Sequence, residues 1–345
     1  IELNAGGTDQ LNFSAMTTAV SVNLASDATL ATMVHRLVKT GGAGQAAFIE
    51  NVLGGSGNDF ITGNAGNNYL AGNGGNDTLV GAEGNDELVG GQGNDLLRGG
   101  DQDDVLTGGI GDDYLKGEAG NDFLNGGDGF NTLAGGIGND MYLFPVATIN
   151  QLDTVIELSA EGTDTLNFLS QTTAVVADLT SDTAMATMSH RIVQAGAGQS
   201  AFIENVVGGS GNDQINGNAA NNLLIGNDGN DTITGNGGND ILVGGNGNDV
   251  LKGIGGLNIL IGGTGADLLL GGTGEDLLMS GSTVYDNDPV LMQYLLAEWT
   301  SGSPYQTRVD HLLGTTAGGA NLGITLNSTT AHTDADDYYM TGGSG

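Results

Sequence analysis

The stretch GGNGNDVLKGIGGLNILIGG, Gly244–Gly263, writes nearly the same nine residues twice. The first copy opens on two glycines, carries Asp249 at its sixth place and Leu251 at its eighth; the second has Ile254 at its second place and Asn258 at its sixth. Followed outward, the unit runs without a gap from Gly54 to Leu143, ten repeats, and from Gly208 to Met279, eight repeats. A longer period of about 155 residues contains it: IELNAGGTDQLNF at Ile1 returns as IELSAEGTDTLNF at Ile156, and AFIENVLGGSGND at Ala47 returns as AFIENVVGGSGND at Ala201. Two copies of one module are therefore expected, and the chain reads as a piece of a larger protein.

Each position of the nonapeptide has its own chemistry. Position one is always Gly, and position four is Gly except at Gln102 and Ala220. Position two is mostly Gly or Asn, the residues that tolerate left-handed backbone. Position eight is always apolar, from Ile61 and Leu70 to Leu269 and Leu278. A six-residue turn followed by a three-residue strand fits this spacing, the middle side chain facing in and its neighbours out. Position six is Asp at Asp59, Asp77, Asp86, Asp95, Asp104, Asp113, Asp122 and Asp140, then at Asp213, Asp231, Asp240, Asp249, Asp267 and Asp276; Asn68, Asn131, Asn222 and Asn258 are the exceptions.

Composition limits what such a chain can do. Its 345 residues include 64 Gly and no Cys, with 41 acids against 7 bases and a net charge of -34. So many glycines are costly to order and call for an outside source of order. The acidity repels nucleic acid and anionic membrane and attracts cations. No apolar run approaches the ~20 residues of a membrane span. There is no GxxxxGK[ST] loop, no EF-hand loop and no nucleophile motif beside the four histidines, so no enzyme is expected.

The fixed pattern G-G-x-G-x-D-x-U-x resembles that of the RTX (repeats-in-toxin, hemolysin-type calcium-binding) family of secreted bacterial proteins, and it covers 162 of the 345 residues. The resemblance implies an all-β fold, a right-handed parallel β-roll or β-solenoid in which two nonapeptides make one coil. Repeats n and n+2 then stack, bringing position-six residues together. Two carboxylates about 5 Å apart repel by roughly 3 kcal/mol at an effective dielectric near 20. The family's answer is Ca2+, bound many times by Asp carboxylates and turn carbonyls. Zinc would want nitrogen or sulfur, and magnesium resists such dehydration.

Pairing n with n+2 gives eight sites in the first array and six in the second. Weaker sites are expected where Asn replaces Asp: Asn68 with Asp86, Asp113 with Asn131, Asn222 with Asp240, Asp240 with Asn258, and Asn258 with Asp276. In the second array this weak stack also faces outward with Leu223, Ile225, Ile241, Val243, Ile259, Ile261, Leu277 and Met279, too large an apolar face to stay in water. Downstream, Asp288-Pro289 reads as an N-cap and first helical residue, and Ser303-Pro304 opens a second helix. Residues 288–313 are expected to pack on that face as a small helical C-terminal cap; a partner or self-association surface is the alternative.

The resulting division is 1–53 flanking coils of copy one, 54–143 array one, 144–207 linker and flanking coils of copy two, 208–282 array two, and 283–345 the cap. The flanking segments LNF, AVSVNL, HRLV and AFIENV read as short strands. Function follows the resemblance: a calcium-binding structural segment of a large secreted or cell-surface protein such as an adhesin, exported by type I secretion and folding outside the cell. Two alternatives are the folding module of an exported hydrolase and an ice- or glycan-binding face. Ice-binding solenoids of this kind align Thr at position three with Asn at position five, whereas here Thr264 and Thr273 sit beside Ala266 and Glu275.

Overall fold

A computed structural model describes residues 8–25, 31–33, 36–38, 49–148, 150–157, 162–283, 286, 288–312 and 339–341. The chain forms two compact units, Ile1–Leu166 with His190–Phe202, and Asn167–Ser189 with Ile203–Gly345. Both are parallel β-solenoids.

In the first unit, alternate strands fall into two sheets. One runs Gln10–Asn12, Asn51–Leu53, Tyr69–Gly74, Glu87–Gln92, Val105–Ile110, Phe123–Asp128 and Met141–Leu143, every neighbour parallel and in register. The other runs Val20–Asn23, Phe60–Thr62, Thr78–Glu83, Leu96–Asp101, Tyr114–Ala119, Thr132–Ile137, Gln151–Ile156 and Arg191–Ala195. Partners in the arrays stand 18 residues apart, as in Leu106 beside Leu124, so two nonapeptides do make one coil.

The second unit repeats the plan. Asn205–Val207, Leu223–Asp228, Ile241–Asn246, Ile259–Thr264 and Leu277–Met279 form one sheet. Val176–Asp178, Gln214–Asn216, Thr232–Asn236, Val250–Gly255, Leu268–Thr273 and Tyr339–Thr341 form the other. The core is a single file: Leu79, Leu88, Leu97, Leu106, Leu115 and Leu124 in the first unit, and Ile233, Leu242, Leu251 and Leu260 in the second, are wholly buried. One inward side chain per strand is a thin core, so the solenoid leans on its turns.

Strands are longer than the three residues expected. Most array strands have six, running on through positions one to three of the next repeat, as in Thr78–Glu83. The cause is a left-handed residue at position two, which turns the chain without breaking the ladder: Asn73 has φ 73° and Gly91 112°, yet the two are paired. The flanking segments also differ from simple coils. Val20–Asn23 pairs in parallel with Phe60–Thr62 but antiparallel with Ala31–Met33, and Val176–Asp178 pairs antiparallel with Ala186–Met188. A short connection can return the chain antiparallel, whereas a parallel return needs a full coil.

Downstream of array two, helix α1 (Pro289–Trp299) and helix α2 (Tyr305–Leu312) cover the apolar face. Asp288 caps α1, its side chain accepting from the amides of Val290 and Leu291. Met292, Leu295, Trp299 and Leu312 are buried against Leu223, Ile225, Ile241, Val243, Ile259 and Ile261. Each such side chain contributes about 1.5–3 kcal/mol. Polar contacts orient the pair: Trp299 Nε1 donates to the Glu275 carbonyl at 2.9 Å, Arg308 bonds the Glu275 carboxylate, and its guanidinium lies 4.7 Å from the centre of the Trp299 ring. Leu313, the last residue of the expected cap, lies outside the described residues.

Candidate metal centres

Every n to n+2 pairing of position six is formed, and by one repeated bond. In array one the main-chain amides of Asp59, Asn68, Asp77, Asp86, Asp95, Asp104, Asp113 and Asp122 donate to Oδ1 of the side chain one coil later, at 2.7–3.0 Å. In array two the amides of Asp213, Asn222, Asp231, Asp240, Asp249 and Asn258 do the same, onto Asp231, Asp240, Asp249, Asn258, Asp267 and Asp276. One carboxylate oxygen is thus spent on the fold.

The other oxygen is not. Oδ2 of Asp77, Asp86, Asp95, Asp104, Asp113, Asp122, Asp231, Asp240, Asp249 and Asp276 is buried with no hydrogen-bond donor. An ionised oxygen held dry in this way costs several kcal/mol unless something positive meets it. Position one explains itself here. A Cβ on Gly72 would lie 2.1 Å from Asp77 Oδ2 and 2.8 Å from the Gly90 carbonyl oxygen one coil later, and Gly90 repeats this with Asp95 and Gly108. A carboxylate oxygen and a turn carbonyl therefore border each such space, the hard donor set that calcium takes. The residues fit the metal.

Burial raises these acids. Desolvation, opposed by the donated amide and reinforced by neighbouring carboxylates, lifts Asp77, Asp104, Asp122 and Asp231 to about 7. Burial with the same opposition lifts Asp86 and Asp240 to about 7, and a further push from Asp267 accompanies it at Asp249, also at about 7. Asp95 and Asp113 rise to about 6. Asp59 and Asp213, which begin their arrays, are raised as well, but there both oxygens are used. Oδ1 accepts from Val20 or Val175 of the flanking coil, and Oδ2 from Gly55 or Gly209.

The Asn positions differ among themselves. Asn68 and Asn222 each accept from the amide four residues back, Asn64 or Asn218. Asn258 turns its amide group into the turn, donating to the Gly255 carbonyl and to Asp276 Oδ1, both at 3.1 Å. A donor there takes up part of what a cation would.

Two features escaped the sequence reading. The first is position five, where Asn or Asp runs in the opposite sense: Oδ1 of Asn76, Asn94 and Asp112 accepts from the position-five amide of the following coil, as does that of Asn212, Asn230 and Asn248. Its recurrence beside position six was the available signal. The second is that the position-six ladder outlives the repeats. The Asn131 amide donates to Asp153 Oδ1 at 3.1 Å, and the Asp140 amide to Asp164 Oδ1 at 2.9 Å. Carboxylates of Asp140, Glu157 and Asp164, all buried, come within 4.8 Å of one another. Glu157 also accepts from the buried Tyr142 hydroxyl, which is pushed well above its usual pKa by burial and by that carboxylate. Spacings of 22 and 24 residues instead of 18 hid these acids.

No curated protein matches the chain. The family model for the RTX calcium-binding nonapeptide repeat (4 copies) matches residues 47–79, 80–115, 107–142, 200–229, 216–251 and 252–282. These segments span more than half of the sequence, and they contain every position-six residue of both arrays, from Asp59 to Asp140 and from Asp213 to Asp276. The chain belongs to the RTX calcium-binding nonapeptide repeat family.

Proposed function

We propose that this chain is a calcium-operated structural segment of a secreted or cell-surface protein, unfolded where calcium is scarce and folded outside the cell. The observation that carries the reading is the file of buried Oδ2 atoms with no donor. Each ion bound there binds the folded state and not the open chain, so its binding free energy becomes folding free energy. The thin core of single Leu and Ile residues supplies too little burial to order 64 glycines while these buried carboxylates are ionised and unmatched. The role is architectural and not catalytic, and the RTX family's secreted context favours type I export. Among the described residues no helix is long and apolar enough to cross a membrane.

Calcium titration of the metal-free chain, followed by circular dichroism at neutral pH, tests this. A β signal that rises cooperatively with calcium and vanishes on chelation is expected. A signal unchanged after exhaustive chelation would overturn the coupling of folding to metal.

A further inference from the structure

Where array one ends, its second sheet continues into Gln151–Ile156, and Thr132 pairs with Thr154. That register sets Asp153 at the sixth position of one more turn, directly after Asn131. A site of the repeated kind would lie between them. What meets Asp153 there is a side chain from 38 residues downstream: Arg191 Nη1 lies 3.2 Å from Asp153 Oδ2, both side chains 1% exposed.

The surroundings of Arg191 match those of a turn cation. Its Nη2 donates to the carbonyl of Gly127, in the turn that holds Asn131, at 2.8 Å, and also to Gln151 Oε1. Gln151 passes the contact on, donating to Asp128 Oδ1 at 2.9 Å. The Phe144 ring closes one side, 5.8 Å from the guanidinium carbon. Carboxylate Oδ2 and turn carbonyl are the same two kinds of oxygen that border the metal spaces elsewhere in the array. Charge agrees too: Asn131 removes one negative charge, leaving Asp153 to be balanced by one positive one.

We propose that Arg191 is a protein-supplied cation that fills the terminal site of this ladder in place of calcium. The closing coil of the first unit is then neutralised by its own chain, giving the metal-dependent coils a finished surface to stack on. The motif HRIV at His190 has its counterpart in HRLV at His35, so Arg36 is the equivalent sequence position of copy one. The inference rests on the calcium reading of the arrays.

The test has two arms. In crystals of the calcium-saturated chain, anomalous scattering is expected between Asp77 and Asp95 and not between Asn131 and Asp153. An ion beside Asp153 overturns the proposal while leaving the calcium reading standing; no ion at either place removes both. In the second arm, Arg191→Gln in calcium should speed amide exchange across residues 151–156 by about a hundredfold or more, the loss expected when one partner of a buried pair is removed, while peptides near Asp77 keep their protection. Unchanged exchange at 151–156 would overturn the assignment, and global unfolding of Arg191→Gln leaves the crystallographic arm to decide.

Discussion

The main-chain amide of Asp77 donates to Oδ1 of Asp95 at 2.7 Å, while Oδ2 of Asp95 stays buried without a donor. Each acid is therefore held by the preceding coil in a posture suited to a cation and ill suited to being charged alone.

That posture sets the pH response of the metal-free chain. Asp77, Asp86, Asp104 and Asp122 titrate near 7 in the folded state and Asp95 and Asp113 near 6, against about 3.9 for an open chain. The folded state thus binds more protons between these limits, and its stability falls as pH rises through them. Without calcium, β structure is expected near pH 4.5 and its loss by pH 8. Calcium should remove this dependence above neutrality and bind more weakly below pH 6, because protons compete for the same oxygens. Dichroism of dialysed, metal-free protein across this range checks it; a β signal that grows with pH would contradict it.

Glycine matters by position and not by number. Gly90→Ala would put a methyl group 2.3 Å from Asp95 Oδ2 and 2.6 Å from the Gly108 carbonyl oxygen, closing a metal space. Loss of one bound calcium and a destabilisation of roughly 3 kcal/mol or more are expected. Gly237→Ala has its nearest neighbour, Ala219 Cα, at 3.7 Å, and should be neutral or stabilising by about 0.4–1 kcal/mol. Denaturant midpoints and calcium counts on the two variants separate the roles.

Ile254 is a β-branched residue at φ 74°, half exposed. A left-handed conformation costs such a residue roughly 1–2 kcal/mol. At the same position Asn236 donates through Nδ2 to the Gly217 carbonyl at 2.8 Å, as Asn227 does to Gly208. Ile254→Asn should therefore relieve strain and gain a bond to the Gly235 carbonyl, stabilising the second unit by about 1 kcal/mol. Equilibrium unfolding in calcium measures this, and no gain would mean that the isoleucine is not strained.

The helical cap depends on the face it covers. Ile259 and Ile261 are wholly buried under α1 and α2, so the double change Ile259→Ser with Ile261→Ser should cost about 3 kcal/mol or more. Limited proteolysis in calcium is expected to cut near Trp299 many times faster than in the parent chain. Unchanged cleavage would show that packing on these residues does not hold the helices.

Much of this was legible in the sequence because it is periodic. A nine-residue register specifies which side chains point inward, and two repeats per coil specify that Asp86 meets Asp104. The apolar pairs from Leu223 to Met279 announced a covered face, and Asp288-Pro289 announced the helix that covers it. What escaped was aperiodic. Asp153 and Asp164 join the ladder only because irregular connections of other lengths return them to it. Tyr339–Thr341 completes a sheet beside Leu268 from about 70 residues away, a pairing no local pattern can encode. The six-residue strands were missed because a turn glycine and a strand residue are the same residue here.

The two opposed ladders also have a mechanical meaning. Position five binds forward and position six binds backward, so most neighbouring coils of an array are joined by bonds of both senses. Drawn from one end, an array should not stretch gradually; it should release one coil at a time. Each release frees 18 residues, about 60 Å of extended chain, and sets loose the ions bound at the parted face. Such an array would act as a tether with a ratchet, whose holding force is set by the calcium outside it.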